Sequence, residues 1–99
     1  MRFDIRLSQQ AISHLKYFSA RQQAIILDGI EAHLSFEPSV KTKHRKLMRP
    51  NPLASWELRI GGFRVYYDVH EHPVATVEVL AVGVKRRNII MIGGEEISL

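Results

Sequence analysis

WELRIGGFRVYYDV, residues 56–69, alternates apolar and polar side chains on both sides of a Gly-Gly pair. Trp56, Leu58 and Ile60 interleave with Glu57 and Arg59, and Phe63, Val65, Tyr67 and Val69 interleave with Arg64, Tyr66 and Asp68. A period of two marks half-buried strands, and Gly61-Gly62 suits a two-residue primed turn because glycine takes positive φ at no steric cost. Counting outward from the turn sets Ile60 opposite Phe63, Arg59 opposite Arg64, Leu58 opposite Val65, Glu57 opposite Tyr66 and Trp56 opposite Tyr67. One face of the hairpin is then apolar. The other gathers Glu57, Arg59, Arg64 and Tyr66. Like charges directly opposed across strands are unfavourable on the scale of about 0.2–1 kcal/mol. Two readings account for the pair: an anion such as phosphate bound by the two guanidinium forks, or a ligand-free ion cluster neutralised by Glu57.

Working outward, ATVEVLAV (residues 75–82) is almost continuously apolar, as expected of a central strand covered on both faces. It runs into Lys85, Arg86 and Arg87, which an antiparallel meander returns to the neighbourhood of the end of the strand carrying Glu57. His70, Glu71, His72 and Pro73 read as a surface turn rather than a metal site. The final GGEEISL reverses the charge, and either packs as a short strand or stays loose.

Upstream, RFDIRL (residues 2–7) alternates like a half-buried strand. Ser8 is placed to cap a short helix with Ala11, Ile12, Leu15 and Phe18 on one side. Ser19 begins a second, with Gln22 completing a capping box and Ile26, Leu27, Ile30 and Leu34 as its apolar face. Glu37-Pro38 is expected to stop it. His14 and His33 lie on these helices and read as structural. Between helix and hairpin, PSVKTKHRKLMRPNPLAS (residues 38–55) is irregular and carries Lys41, Lys43, Arg45, Lys46 and Arg49. It is either a solvated charge run or a flexible loop that docks phosphates.

The 99 residues suit a single domain, residues 1–99, and 45% hydrophobic against 24% charged residues suit a packed globular core. Without cysteine there is no disulfide, thiolate metal site or cysteine nucleophile. No apolar run is long enough to span a bilayer and the first residues hold no signal-peptide core, so a soluble, cytoplasmic protein is expected. The formal net charge of +4 is unevenly placed: residues 1–37 carry four basic and four acidic side chains, residues 38–99 ten and six. That asymmetry points to a polyanionic partner, nucleic acid or an acidic protein segment.

The order of strand, two helices, basic loop, WELRIGGFRVYYDV and VEVLAVGVKRRN resembles the RelE/ParE superfamily of toxins from bacterial type II toxin–antitoxin pairs. The similarity spans nearly the whole chain and is most specific at Gly-Phe-Arg-Val-Tyr-Tyr and Val-Gly-Val-Lys-Arg-Arg-Asn. It implies an α+β fold, with the N-terminal strand and helical hairpin packed on a twisted, mostly antiparallel sheet. It also implies an antitoxin, commonly acidic, that wraps the basic surface. RelE-like members cut messenger RNA, commonly in the ribosomal A site, using the 2′-hydroxyl as nucleophile and no metal or other cofactor. By the resemblance Arg59 and Arg64 would hold the phosphate, with Arg86 or Arg87 as a further clamp. Read from its own chemistry rather than from the resemblance, Glu57 would be a base, a carboxylate on the same face as the phosphate, the loop cations Lys41, Lys43, Arg45, Lys46 and Arg49 with Lys85 would bind nucleic acid, and Tyr66 would bind it by stacking on a base or would supply a proton. The sequence departs from active ribonucleases in having Met91 where a tyrosine or histidine is often found, and Glu57 where some relatives have lysine. The alternatives are a ParE-like, non-enzymatic poison of DNA gyrase and an inactive antitoxin-binding relative.

Overall fold

A computed structural model describes all 99 residues, two helices and seven strands in an α+β arrangement. Its elements are β1 (Asp4–Leu7), α1 (Gln9–Leu15), α2 (Ala20–Leu34), β2 (Arg45–Leu47), β3 (Trp56–Ile60), β4 (Phe63–His70), β5 (Thr76–Arg86), β6 (Ile89–Ile92) and β7 (Glu95–Ile97). The sheet runs β2-β3-β4-β5-β6-β7 with every neighbour antiparallel, and β1 lies parallel to β5.

The hairpin register is the one counted from the turn, from Ile60 opposite Phe63 to Trp56 opposite Tyr67. The turn differs in one respect. Only Gly61 takes positive φ, at 57°, the pattern of a type II′ rather than a type I′ turn. Gly93-Gly94, between β6 and β7, has positive φ at both positions, 60° and 79°.

The helices are punctuated as their sequences require. Ser8 Oγ accepts from Ala11 N, and Ser19 and Gln22 form both bonds of the capping box. α1 stops at Leu15, so Phe18 lies in the connection, where its ring packs edge-on against Phe63. Ile12 and Leu27, expected on apolar faces, remain substantially exposed. α2 ends at Leu34, ahead of the Glu37-Pro38 stop, with Glu37 turning the chain at φ 51°. Arg45 closes this helix end from outside, donating Nη1 to His33 O at 2.6 Å and Nε to Val40 O at 2.8 Å. These bonds satisfy carbonyls that a helix C-terminus leaves open, with a cation where the dipole favours one.

The main core lies between the helices and one face of the sheet: Ala11, Leu15, Ile26, Ile30 and Leu34 against Trp56, Leu58, Val65, Tyr67, Val77, Val79 and Val82. Fully burying residues such as Leu58 or Val65 stabilises the fold by about 1.5–3 kcal/mol each. A smaller core covers the opposite face, where Tyr66, Ala81, Ala54 and Ile92 pack with Met48, Leu53, Leu80, Ile90 and Ile97.

A bulge in β5 explains the unbroken apolar run. Tyr66 pairs with Ala81 and Tyr67 with Val79, leaving Leu80 as the extra residue. Val77, Val79 and Val82 thereby serve the helical core while Leu80 and Ala81 serve the other. The same strand changes partner along its far edge, pairing with β1 over residues 76–79 and with β6 over 83–86. In the gap, Ser8 N donates to Val79 O, Ser8 Oγ to Leu80 O, and Val82 N to His14 Nδ1 at 3.2 Å. His14 therefore completes the sheet's hydrogen bonding in place of a strand.

This arrangement has a pH consequence. Burial holds the His14 imidazole below its ordinary 6.5. Burial, His44 and Arg45 act on His33 in the same direction. In the window below 6.5 the unfolded chain takes up protons that the native state refuses, so stability rises with pH there. It should be complete above 6.5 and fall as pH drops from 6.5 through the lowered native values. His14→Gln, which retains an acceptor but cannot titrate, should flatten that acid-side slope in urea melts at pH 7.5, 6.5 and 5.5. An unchanged slope would refute the role given to His14.

Candidate functional site

Antiparallel order brings the C-terminal ends of β3 and β5 and the N-terminal ends of β2, β4 and β6 to one end of the sheet. Backbone bonds fix the spacing there: Arg59 N donates to His44 O, and Lys85 N to Gly62 O, both at 2.8 Å. Lys43, Arg59, Arg64, Lys85, Arg86 and Arg87 consequently share one rim.

Within it, faces can be assigned from the register. Arg59, Arg64 and Gly83 lie side by side on the face away from the helices, so Lys85, two residues beyond Gly83, points the same way. Arg86 alternates to the helical face. Arg87 occupies the β5–β6 turn at φ 59°. Of the three cations at the end of β5, the register thus puts Lys85 on the face of Arg59 and Arg64 and Arg86 on the other, with Arg87 in the turn between β5 and β6. Met91 is cross-strand from Val84, which pairs in turn with Phe63, and this places it on the helical side. A tyrosine or histidine at that position would also face away from the arginine pair.

The two arginines do not depend on an added anion for compensation. Arg59 Nε donates to Glu57 Oε1 at 3.0 Å, and Arg64 Nη1 donates to Gly61 O and Phe63 O at 2.7 and 2.9 Å. The Nη groups of Arg59 and the Nε and Nη2 groups of Arg64 have no intramolecular acceptor, leaving donors on both forks for a ligand.

Glu57 is 7% exposed, and its second oxygen accepts from Tyr66 Oη at 3.0 Å. Tyr66 is 0% exposed. Burial, the Glu57 carboxylate and their hydrogen bond push its hydroxyl well above the usual phenol range, against the smaller opposing pull of Arg64 and Arg59. The expectation that Tyr66 binds nucleic acid by stacking is corrected, because the second core covers its ring. It is a poor proton donor for the same reasons.

The loop before β3 is more ordered than its composition suggests, and it contains a strand, β2, that the sequence does not reveal. Thr42 Oγ1 accepts from the backbone N of His44 and Arg45, and Asn51 spans its turn with four bonds to the backbone of Arg49, Leu53 and Ala54. Arg45 is tied to the end of α2 through its Nε and Nη1. Lys41, Lys43, Lys46 and Arg49 remain exposed, and their side chains form no hydrogen bond or ion pair within the protein. A cavity of about 410 Å³ is lined by Lys41, Lys43, Arg45, Lys46 and Arg59. Beside it, Lys46, Arg49 and Glu57 line a second of about 350 Å³, together with Leu47, Met48, Pro50, Asn51 and Leu99. No three or more histidine, aspartate or glutamate side chains converge as metal ligands. No helix is long and apolar enough to cross a membrane.

The helical hairpin on an open, mostly antiparallel sheet, with a basic rim at one end, is the RelE-like α+β fold. Among solved structures, the chain is similar to one in the RelBE2 toxin–antitoxin complex from Mycobacterium tuberculosis, with a TM-score of 0.73 and 22% identity over 86% of this chain and 93% of that one. No family model matches the sequence, and no curated protein matches it significantly. The likeness is one of fold.

Proposed function

We propose that this protein is the toxin of a type II toxin–antitoxin pair and acts in the cytoplasm as a metal-independent endoribonuclease on messenger RNA. The observation that carries the reading is the rim itself. Lys41, Lys43, Lys46, Arg59, Arg64 and Lys85 stand around one cavity and one sheet end, with no exposed carboxylate among them. Arg59 and Arg64 hold the scissile phosphate through their free donors. Guanidinium groups remain protonated at neutral pH, so they stabilise the charge that builds on the phosphorane as the adjacent 2′-hydroxyl attacks. Lys41, Lys43 and Lys46 follow the strand's backbone. An antitoxin with an acidic segment would cover the same rim, and the RelE-like fold is found in a solved toxin–antitoxin complex.

A specific observation supports a second reading, a non-enzymatic toxin of the gyrase-poisoning kind. Tyr66 is enclosed and Met91 faces the helices, so neither supplies a proton at the rim. The two readings predict different lesions. Brief induction without antitoxin, followed by mapping of transcript 5′ ends, should give discrete new ends for the wild type and at least tenfold fewer for Arg64→Ala. Growth arrest with intact transcripts and broken DNA would overturn the ribonuclease reading in favour of the second.

A further inference from the structure

We infer that the cavity between β2, β3 and the Pro50 turn is a base subsite for guanine in an RNA strand, with Glu57 on its floor as the reading group. The inference deepens the nucleic-acid reading above and rests on it. Glu57 carries the one acidic side chain among the cavity's lining residues, and it is almost fully buried yet lines the cavity. An ionised carboxylate has about four acceptor positions. Arg59 Nε uses one on Oε1 and Tyr66 Oη one on Oε2, so each oxygen retains acceptor capacity for a ligand.

Those two bonds also fix the carboxylate's orientation. A held pair of adjacent acceptors matches a pair of adjacent donors. Among the RNA bases, guanine alone offers two on neighbouring positions of its Watson–Crick edge, N1–H and N2–H. Adenine presents an acceptor at N1, and cytosine a single amino donor beside an acceptor.

The other lining residues suit the rest of the base. Lys46 lies directly cross-strand from Glu57 and, like Arg49, is free to donate to O6. Asn51 is excluded from base reading because both ends of its amide are taken by backbone. Leu47, Met48, Pro50 and Leu99 give apolar walls, and about 350 Å³ leaves room for a purine. Arg59 borders the neighbouring cavity and also grips Glu57, which couples the base site to the phosphate site through one side chain. Glu57 is on this reading a specificity-determining residue and not the base of the reaction.

The test uses labelled 2′-O-methyl pentaribonucleotides, which bind but cannot be cleaved, identical except for guanine, inosine, adenine or cytosine at the centre. Fluorescence anisotropy with the wild-type protein should rank guanine about tenfold tighter than adenine or cytosine, the discrimination expected of a bidentate pair. Inosine, which lacks only the N2 amino group, should fall between. Glu57→Gln, which replaces one acceptor by a donor, should reduce the preference below twofold, whereas Arg64→Ala should weaken all four oligonucleotides alike.

Equal binding of the four, equal binding of guanine and inosine, or a full preference surviving in Glu57→Gln would each overturn the assignment. The first two comparisons need no variant to fold. Guanosine monophosphate binding as tightly as the pentamer would overturn the strand assignment in favour of a free-nucleotide site. Cleavage of transcripts with no base preference would remove the subsite and leave the ribonuclease. A measured guanine preference with intact transcripts would do the reverse.

Discussion

On the ribonuclease reading proposed above, Arg59→Ala should lower the single-turnover rate of cleavage of an oligoribonucleotide about a hundredfold, the scale on which preorganised donors to a developing oxyanion act. Of the two cross-strand arginines, Arg59 has its Nε tied to Glu57 and both Nη groups free, so its fork is aimed before substrate arrives. Binding then costs little reorganisation. Arg59→Lys should recover part of the loss, keeping a charge but not the fork, and settle about tenfold below wild type. The alanine variant also leaves the buried Glu57 with one partner fewer, a destabilisation of about 1–3 kcal/mol. Urea melts must therefore accompany the kinetics, with rates measured well below the variant's midpoint. A rate within threefold of wild type in the folded variant would refute the role assigned to Arg59.

The sequence made the hairpin legible because the glycine pair set the register and period-two alternation set the faces. Helix starts were legible from Ser8, Ser19 and Gln22, whose side-chain bonds are local. What escaped was nonlocal. β2 is three residues held by β3 and by the Thr42 turn, with no alternation long enough to signal it. The bulge at Leu80 shifts the face of every later residue in β5, and without it the basic cluster cannot be assigned to a side. Arg45 looked like its lysine neighbours, and only the fold brings the His33 carbonyl within its reach.

The candidate site divides in the same way. Glu57, Arg59, Arg64 and Tyr66 were visibly on one face, because a single hairpin carries them all. That Tyr66 is enclosed follows from Ile90, Ile92 and Ile97 arriving from the far end of the chain. His14 gave no sequence signal of its role, since the backbone group it serves lies 68 residues away.

The largest effect on stability is expected at a residue that composition makes unremarkable. Gly83 lies in β5 against β6, and a Cβ built there would overlap Met91 O and sit 2.8 Å from Ile92 Cγ1. The first of these atoms is backbone in a paired strand, so no rotamer change relieves the clash. β6 would have to move away from β5. Gly83→Ala should accordingly cost about 3 kcal/mol, at the upper end of the range for overpacking, and lower the melting temperature by roughly 12–24 °C for a domain of this size. The cost should be spatially biased. Ile92 is anchored through β6 and belongs to the second core, so amides of β6 and β7 should lose hydrogen-exchange protection before those of α2 or β4. Loosening that core would also uncover Tyr66 and release the hydroxyl that orients Glu57. If Glu57 reads guanine, Gly83→Ala should erode base preference at temperatures where the helical core is still folded. Gly62→Ala is the internal control: its Cβ would lie 3.7 Å from Lys85 O, an ordinary contact, in the neighbouring turn of the same rim. A Gly83→Ala protein that melts like Gly62→Ala would show that β6 yields at no cost, and would remove the close approach of β6 to Gly83 as the feature that holds the second core shut.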